Sequence, residues 1–180
     1  SGEGSDESLG GYPRHVCERY VGPYQGLPGV VRHGLVEPLV GALPYRFRRA
    51  KTAIANLGIE NFGERMPRWF GALSRREREE LVAMSAPANQ EYAPQLDTPG
   101  SNSALRRILY FDQTSWLPDN LLERGDRMTM AASIEARMPF MDHELAALVS
   151  ALPDHFRVRG HTGKWILREA MKKLLPQAIL

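Results

Sequence analysis

The sequence predicts a mainly helical fold, and three observations lead there. Apolar residues recur three to four apart in most segments where their spacing is legible, as with Phe47, Ala50, Ile54 and Leu57, which places them on one helix face. Alternating strand patterns are nearly absent. Helix start and stop signals recur along the chain, Ser or Asp ahead of apolar runs and Pro behind them. At 180 residues, 43% hydrophobic, the chain has the size of one domain and can bury a core of helices packed on helices.

The elements follow in order. The chain opens on SGEGSDES, a glycine-rich turn with Ser5 or Asp6 as the cap of the helix behind it. Ser74 with Glu77 three residues later forms a capping box ahead of Leu81 and Met84 and predicts a short helix over 74–84. From 85 to 103 the sequence is rich in proline, asparagine, glutamine and glycine, and reads as a surface connection between two helical halves. A longer helix fits over about 103–115; Leu117, Pro118 and Asp119 end it, and Asp119 caps the next. Pro139 breaks the chain again, Asp142 caps a helix carrying Leu145, Leu148 and Val149, and Pro153 closes it. Gly163 precedes a last helix over 164–175. There is no internal repeat and no low-complexity tract. The first motif has no strand in front of it, and Leu180 stops four residues after Pro176 in an apolar stretch, so we expect a fragment of a longer chain.

Composition narrows the function classes. With 23 basic and 21 acidic residues the net charge is +2, so bulk electrostatics demand neither nucleic acid nor an anionic membrane, and a small metabolite fits better. The single cysteine, Cys17, excludes an internal disulfide and a cysteine-based zinc cage, is consistent with a reducing cytoplasm, and reads as a small helix-face residue. No apolar run approaches the roughly 18 residues needed to span a bilayer, and no signal-peptide pattern opens the chain. The histidines, His15, His33, His143, His155 and His161, show no metal-ligand spacing and receive no role.

Three segments carry candidate chemistry. In SGEGSDES the glycines let backbone amides approach a ligand, and Glu3 and Asp6 among them suit a site that also holds magnesium or a cationic group. A turn that merely caps a structural helix would look similar. In LPDNLLERGDRMTMAASIEARMPFMDHEL, Leu117 to Leu145, charges interrupt what reads as a core helix at Arg124, Asp126, Arg127, Glu135 and Arg137. For Glu135, Arg137 and Asp142 we expect ion pairs to neighbouring helices; Arg124 has only Glu123 and Asp126 nearby and reads as functional. In GKWILREAMKKLLP, Lys164 sits at the positive end of a helix dipole, where a bound phosphate or carboxylate would compensate it unless it is a solvated lysine on a frayed end. Arg168 and Lys172 form a polar face. The basic run Arg46, Arg48, Arg49 and Lys51, interleaved with Tyr45 and Phe47, reads as a solvated flank rather than a nucleic-acid surface.

SGEGSDE followed by GGY at Gly10 to Tyr12, then the Leu117 to Leu145 segment, then GKWILREAM, in this order, resemble the synthetase domain of the glutamine-hydrolysing asparagine synthetase family. The motifs anchor nearly the whole chain, with 16–102 covered only by position between them. The resemblance implies the helical C-terminal portion of an α/β ATP-pyrophosphatase-type (adenine nucleotide α hydrolase-like) domain, most of whose strands lie upstream. Ser1 and Gly2, with Gly4 in the same turn, match the backbone that contacts ATP. Glu3 matches the family's key acid, implied to help form a β-aspartyl-AMP intermediate, and Asp6 is implied to help hold Mg2+ and the pyrophosphate side of the nucleotide. Arg124 stands where the family has a basic residue near the acyl-adenylate, and Lys164 matches a lysine that reaches the phosphate.

The implied reaction is cytoplasmic and has two steps. Aspartate attacks the α-phosphate of ATP and releases pyrophosphate; ammonia, made from glutamine by an N-terminal glutaminase domain of the same chain, then displaces AMP. Several departures matter. The family's SGGxDS phosphate loop and its N-terminal cysteine nucleophile are absent here, Cys17 is internal and cannot replace the latter, and Ser8 and Leu9 stand where a bulkier apolar pair is usual. This chain alone is therefore expected neither to hydrolyse ATP nor to make asparagine. Two alternatives stay open: the same chemistry on another carboxylate, and a non-catalytic helical module that binds a partner through 45–51.

Overall fold

The computed structural model describes residues 2–71, Glu80 and 103–179. The chain divides into two compact units, Ser1–Val16 with Ser101–Leu180, and Cys17–Gly100. Among the described residues the regular elements are helices, and the β-bridge between Arg159 and Thr162 stands isolated, so the mainly helical expectation holds. Of the expected helix over 74–84 only Glu80, helical and exposed, is described; its Ser74 and Glu77 capping box, the connection over 85–102, and Ser1 lie outside the described residues.

The backbone of the first unit is one long helix. It starts where expected: the Ser103 side chain accepts a hydrogen bond from the Arg106 N–H at 3.2 Å, satisfying one of the open donors of a helix start. It then runs through Ala104–Phe111, Asp112–Leu122 and Glu123–Ala131 with no interruption, the middle segment in π-helical register. The expected stop at Leu117–Pro118 and cap at Asp119 do not form. A π turn bonds each N–H to the fifth carbonyl back, as Glu123 does to Pro118 O, and its wider course relieves the clash of a proline ring with the preceding turn. The hydroxyls of Thr114 and Ser115 donate to the carbonyls of Tyr110 at 2.8 Å and Phe111 at 2.6 Å, supplying acceptors there with extra donors.

Leu105, Ile108 and Leu109 on this helix are almost fully buried, together with Leu9, Phe111, Leu117, Val149 and Val158. Each such side chain contributes about 1.5–3 kcal/mol of burial free energy. The stretch Glu123–Ala131 buries no residue, which corrects its reading as a core helix. Arg127 pairs with Glu123 one turn back, and beyond the helix Arg137 pairs with Glu135 at 2.9 Å, both at the surface. Such exposed pairs stabilise by about 0–1 kcal/mol.

Asp142 forms the expected cap, accepting from the Leu145 N–H at 2.9 Å at the start of the helix His143–Ala151, and makes no ion pair among the described residues. The other end of that helix is held by Arg157, a buried guanidinium that donates to the carbonyls of Val149 at 3.1 Å, Ser150 at 2.6 Å and Leu152 at 3.0 Å. Those are orphan acceptors of a helix C-terminus, and the cation also meets the negative end of the dipole. Burial pulls the Arg157 pKa below its ordinary value. The last helix, Trp165–Met171, is shorter than expected; Leu174 and Leu175 N–H groups both turn back to Met171 O and tighten its end. Arg168 is exposed, as the polar-face reading requires.

In the second unit Val21, Tyr24 and Leu57 form a buried cluster, with Val36 and Ile54 packed against it. The stripe anticipated over 47–57 is half right. Ile54 and Leu57 turn inward on the helix Arg48–Leu57, whereas Phe47 and Ala50 stay at the surface. The Arg46 and Arg48 guanidinium groups lie over the rings of Phe47 and Tyr45, at 4.9 and 5.4 Å. The fully buried Glu18 carboxylate accepts from Arg65 Nε at 2.8 Å and Trp69 Nε1 at 2.8 Å, so its charge is paired and bonded. No helix among the described residues is long and apolar enough to cross a membrane.

Two measurements check this account. Asp142→Ala should lower stability by about 1 kcal/mol in urea unfolding with an unchanged m-value, whereas no change would mean the cap is not formed in solution. Cys17 is half-buried, and burial, with the Glu18 carboxylate next to it, pushes its thiol pKa up. Its alkylation at pH 8 should therefore be slower than that of a small thiol and keep rising at higher pH; a rate equal to the small thiol's would contradict the burial.

Candidate functional site

The glycine-rich turn is built from the backbone outward. Gly4 has φ +88°, a left-handed conformation that costs an L side chain energy, and it occupies the cap position of the short helix Ser5–Leu9. Neither Ser5 nor Asp6 caps that helix, contrary to expectation. The Ser5 hydroxyl instead donates to Gly2 O at 2.8 Å and closes the turn on itself.

Asp6 meets Lys164. Their side chains form an ion pair at 2.9 Å between Nζ and Oδ1, and the same Nζ donates to Ser5 Oγ at 2.9 Å. Both charged groups remain partly open to solvent, at 23% and 33% of their side-chain surface. The approach depends on two glycines. A β-carbon on Gly11 would fall 1.6 Å from Asp6 Oδ1 and 2.4 Å from Lys164 Cε, and one on Gly163 would fall 2.2 Å from Gly10 O. Lys164 itself has φ +52°, a strained backbone for a residue with a side chain, costing about 1–3 kcal/mol. Its N–H donates to Leu9 O at 3.1 Å, tying it to the end of the acid-bearing helix. The awkward placement noted in the sequence thus has a partner, and the frayed-end reading falls.

Glu3 lies at the other side of the turn. Both carboxylate oxygens stand 3.3 Å from where a β-carbon of Gly125 would be, so the acid rests on the helix Glu123–Ala131. Arg124, the neighbouring residue, is exposed and forms no ion pair among the described residues; Glu123, one of its two nearby acids, is taken by Arg127. The structure therefore brings Gly2, Glu3, Gly4, Asp6 and Lys164 into one neighbourhood, with Arg124 beside the residue that supports Glu3. Ser1 is outside the described residues. Carboxylate oxygens are the ligands magnesium takes, in ones and twos beside substrate phosphates, so Asp6 fits that ion by donor chemistry.

Sequence reasoning missed the polar network beneath the turn. Glu7 is buried and accepts from the Tyr12 hydroxyl at 2.5 Å. Burial, then that carboxylate, pushes the Tyr12 pKa up, so the phenol stays protonated and donates. The Arg14 guanidinium stacks 4.0 Å from the Tyr12 ring centre and donates to Asp112 Oδ2 at 2.8 Å, and His15 Nε2 contacts the same oxygen at 2.6 Å. One signal was available: Asp112 continues the three-to-four spacing of Leu105, Ile108 and Leu109, which puts a carboxylate on an apolar face.

The family model described as asparagine synthase matches residues 1–180. Among curated proteins the chain is similar to asparagine synthetase [glutamine-hydrolyzing] 1 of Bacillus subtilis (strain 168), 27% identical over 184 residues, covering 100% of this chain and 28% of that protein. Asparagine synthetase [glutamine-hydrolyzing] 3 of the same strain is 40% identical over 87 residues, 48% of this chain and 14% of that protein. A putative asparagine synthetase [glutamine-hydrolyzing] of Mycobacterium tuberculosis (strain ATCC 25618 / H37Rv) is 28% identical over 185 residues, again 100% of this chain and 28% of that protein. No solved structure matches the chain. The chain thus spans under a third of the length of these relatives, and by the match to its whole length it belongs to the asparagine synthase family.

Proposed function

We propose that this chain supplies part of the synthetase site of a cytoplasmic, glutamine-hydrolysing asparagine synthetase. The full-length protein would adenylate aspartate with ATP and pass the acyl group to ammonia drawn from glutamine in an N-terminal glutaminase domain. One observation carries the reading: two motifs far apart in sequence, the acid turn and the glycine-lysine pair, meet with Lys164 Nζ 2.9 Å from both Asp6 and Ser5. Family membership and the relatives' names support the chemistry assigned to that meeting point.

The residues divide the work by charge. In the first step an aspartate carboxylate oxygen forms a bond to the α-phosphorus of ATP while the bond to the β-phosphate oxygen breaks, and pyrophosphate leaves. Negative charge grows on phosphoryl oxygens, and the Lys164 ammonium, already held at the acid turn, is placed to stabilise it. The backbone of Ser1, Gly2 and Gly4 contacts the nucleotide. Mg2+, when bound through Asp6 and substrate phosphates, would neutralise charge on the phosphates. Glu3, resting on the long helix at Gly125, helps form β-aspartyl-AMP, and Arg124, the residue before Gly125, offers a cation to the acyl-adenylate. In the second step ammonia adds to the acyl carbon, the bond to AMP breaks, and the nitrogen loses a proton.

The test is acceptor-dependent AMP release by the full-length protein. Aspartate should support it above other carboxylic acids, with glutamine or ammonium as nitrogen source. Glu3→Gln and Lys164→Ala should each lower kcat by roughly 100-fold or more without loss of fold, by the usual effect of removing a group that stabilises developing charge. Unchanged AMP formation in both variants would remove the site assignment. A different preferred carboxylate would keep the adenylation and change the acceptor.

A further inference from the structure

We propose that Asp112 is a positioning residue that fixes the long helix against the acid turn and so sets where the Glu3 carboxylate stands. The inference rests on the reading of the site given above. Asp112 is fully buried, at the point where the helix passes from α to π register. Its Oδ2 accepts from Arg14 Nη2 at 2.8 Å, from Arg14 Nε at 3.3 Å and from His15 Nε2. The Tyr12 N–H donates to His15 Nδ1 at 3.3 Å, which makes that nitrogen the acceptor and leaves the proton on Nε2, pointed at Asp112. The network therefore has one consistent direction of donation.

From Asp112 two routes reach the acid turn. Arg14 lies over the Tyr12 ring, and the Tyr12 hydroxyl bonds Glu7 on the helix that follows Glu3 and Gly4. The next residue of the long helix, Gln113, donates to Glu7 O at 3.0 Å. Further along the same helix, Gly125 lies under the Glu3 carboxylate. One helix thus touches the motif at Glu7 and at Glu3, and a slide or rotation of it would displace both. A buried ion pair is poor evidence for stability, since apolar residues of similar size often serve the fold as well. It does accept one register only, whereas apolar side chains tolerate several.

The experiment uses the full-length protein and two variants, Asp112→Asn and the apolar replacement Arg14→Met with Asp112→Leu. Acceptor-dependent AMP release is measured per folded molecule, the folded fraction coming from near-UV circular dichroism. A positioning role predicts that kcat falls roughly 10- to 100-fold in both variants, the range expected for a misplaced reacting group. It also predicts that KM for ATP stays within about three-fold, because the loss belongs to the transition state. Parental kcat per folded molecule in either variant, or a loss confined to KM, overturns the proposal. A parent that releases no AMP instead removes the reading of the site on which the inference stands.

Discussion

The ion pair between Lys164 and Asp6 is the contact on which the rest of the site depends. It joins segments separated by about the whole described chain, and it exists because the backbone makes room for it at two glycines, Gly11 and Gly163. The strain of a left-handed Lys164 is held by a backbone bond to Leu9 at the end of the acid-bearing helix. Both partners stay partly exposed, so the pair is accessible to a phosphate or a metal rather than sealed inside the fold. An exposed pair of this kind contributes little stability by itself. Its value is geometric: it fixes a cation and a carboxylate side by side at the glycine-rich turn.

Around that contact the first unit reads as a frame. The long helix presents a buried apolar face through Leu105, Ile108 and Leu109, and then leaves the core so that Glu123–Ala131 carries Arg124 and the seat of Glu3 at the surface. Arg157 closes the end of the helix His143–Ala151 and leads directly into Val158, which packs against Gly10. The turn that delivers Lys164 is therefore fixed on one side by a capped helix and on the other by the acid motif.

Local signals made part of this legible in the sequence. The helix start near Ser103 and the cap at Asp142 were readable because a side-chain oxygen three residues ahead of an open N–H is a short-range arrangement. The charge of Lys164 at the start of a helix pointed to a partner, and the structure supplies Asp6. Three features were not readable. Pro118 stops an α-helix but not a π-helix, and the register depends on tertiary context. The Glu123–Ala131 segment looked like core because apolar spacing does not tell which side of a helix has a neighbour. The bonds from Arg14 and His15 to Asp112 span almost a hundred residues, beyond any local pattern, although a carboxylate on an apolar stripe announced that some partner existed.

The central claim is that the acid turn and Lys164 form one functional unit. A double-mutant cycle on AMP release by the full-length protein, with Asp6→Asn, Lys164→Met and both together, tests it most directly. Strong coupling is expected, of about 1–3 kcal/mol, with the double variant scarcely worse than the worse single one. Losses that simply add would mean that the two groups act independently and would contradict the account.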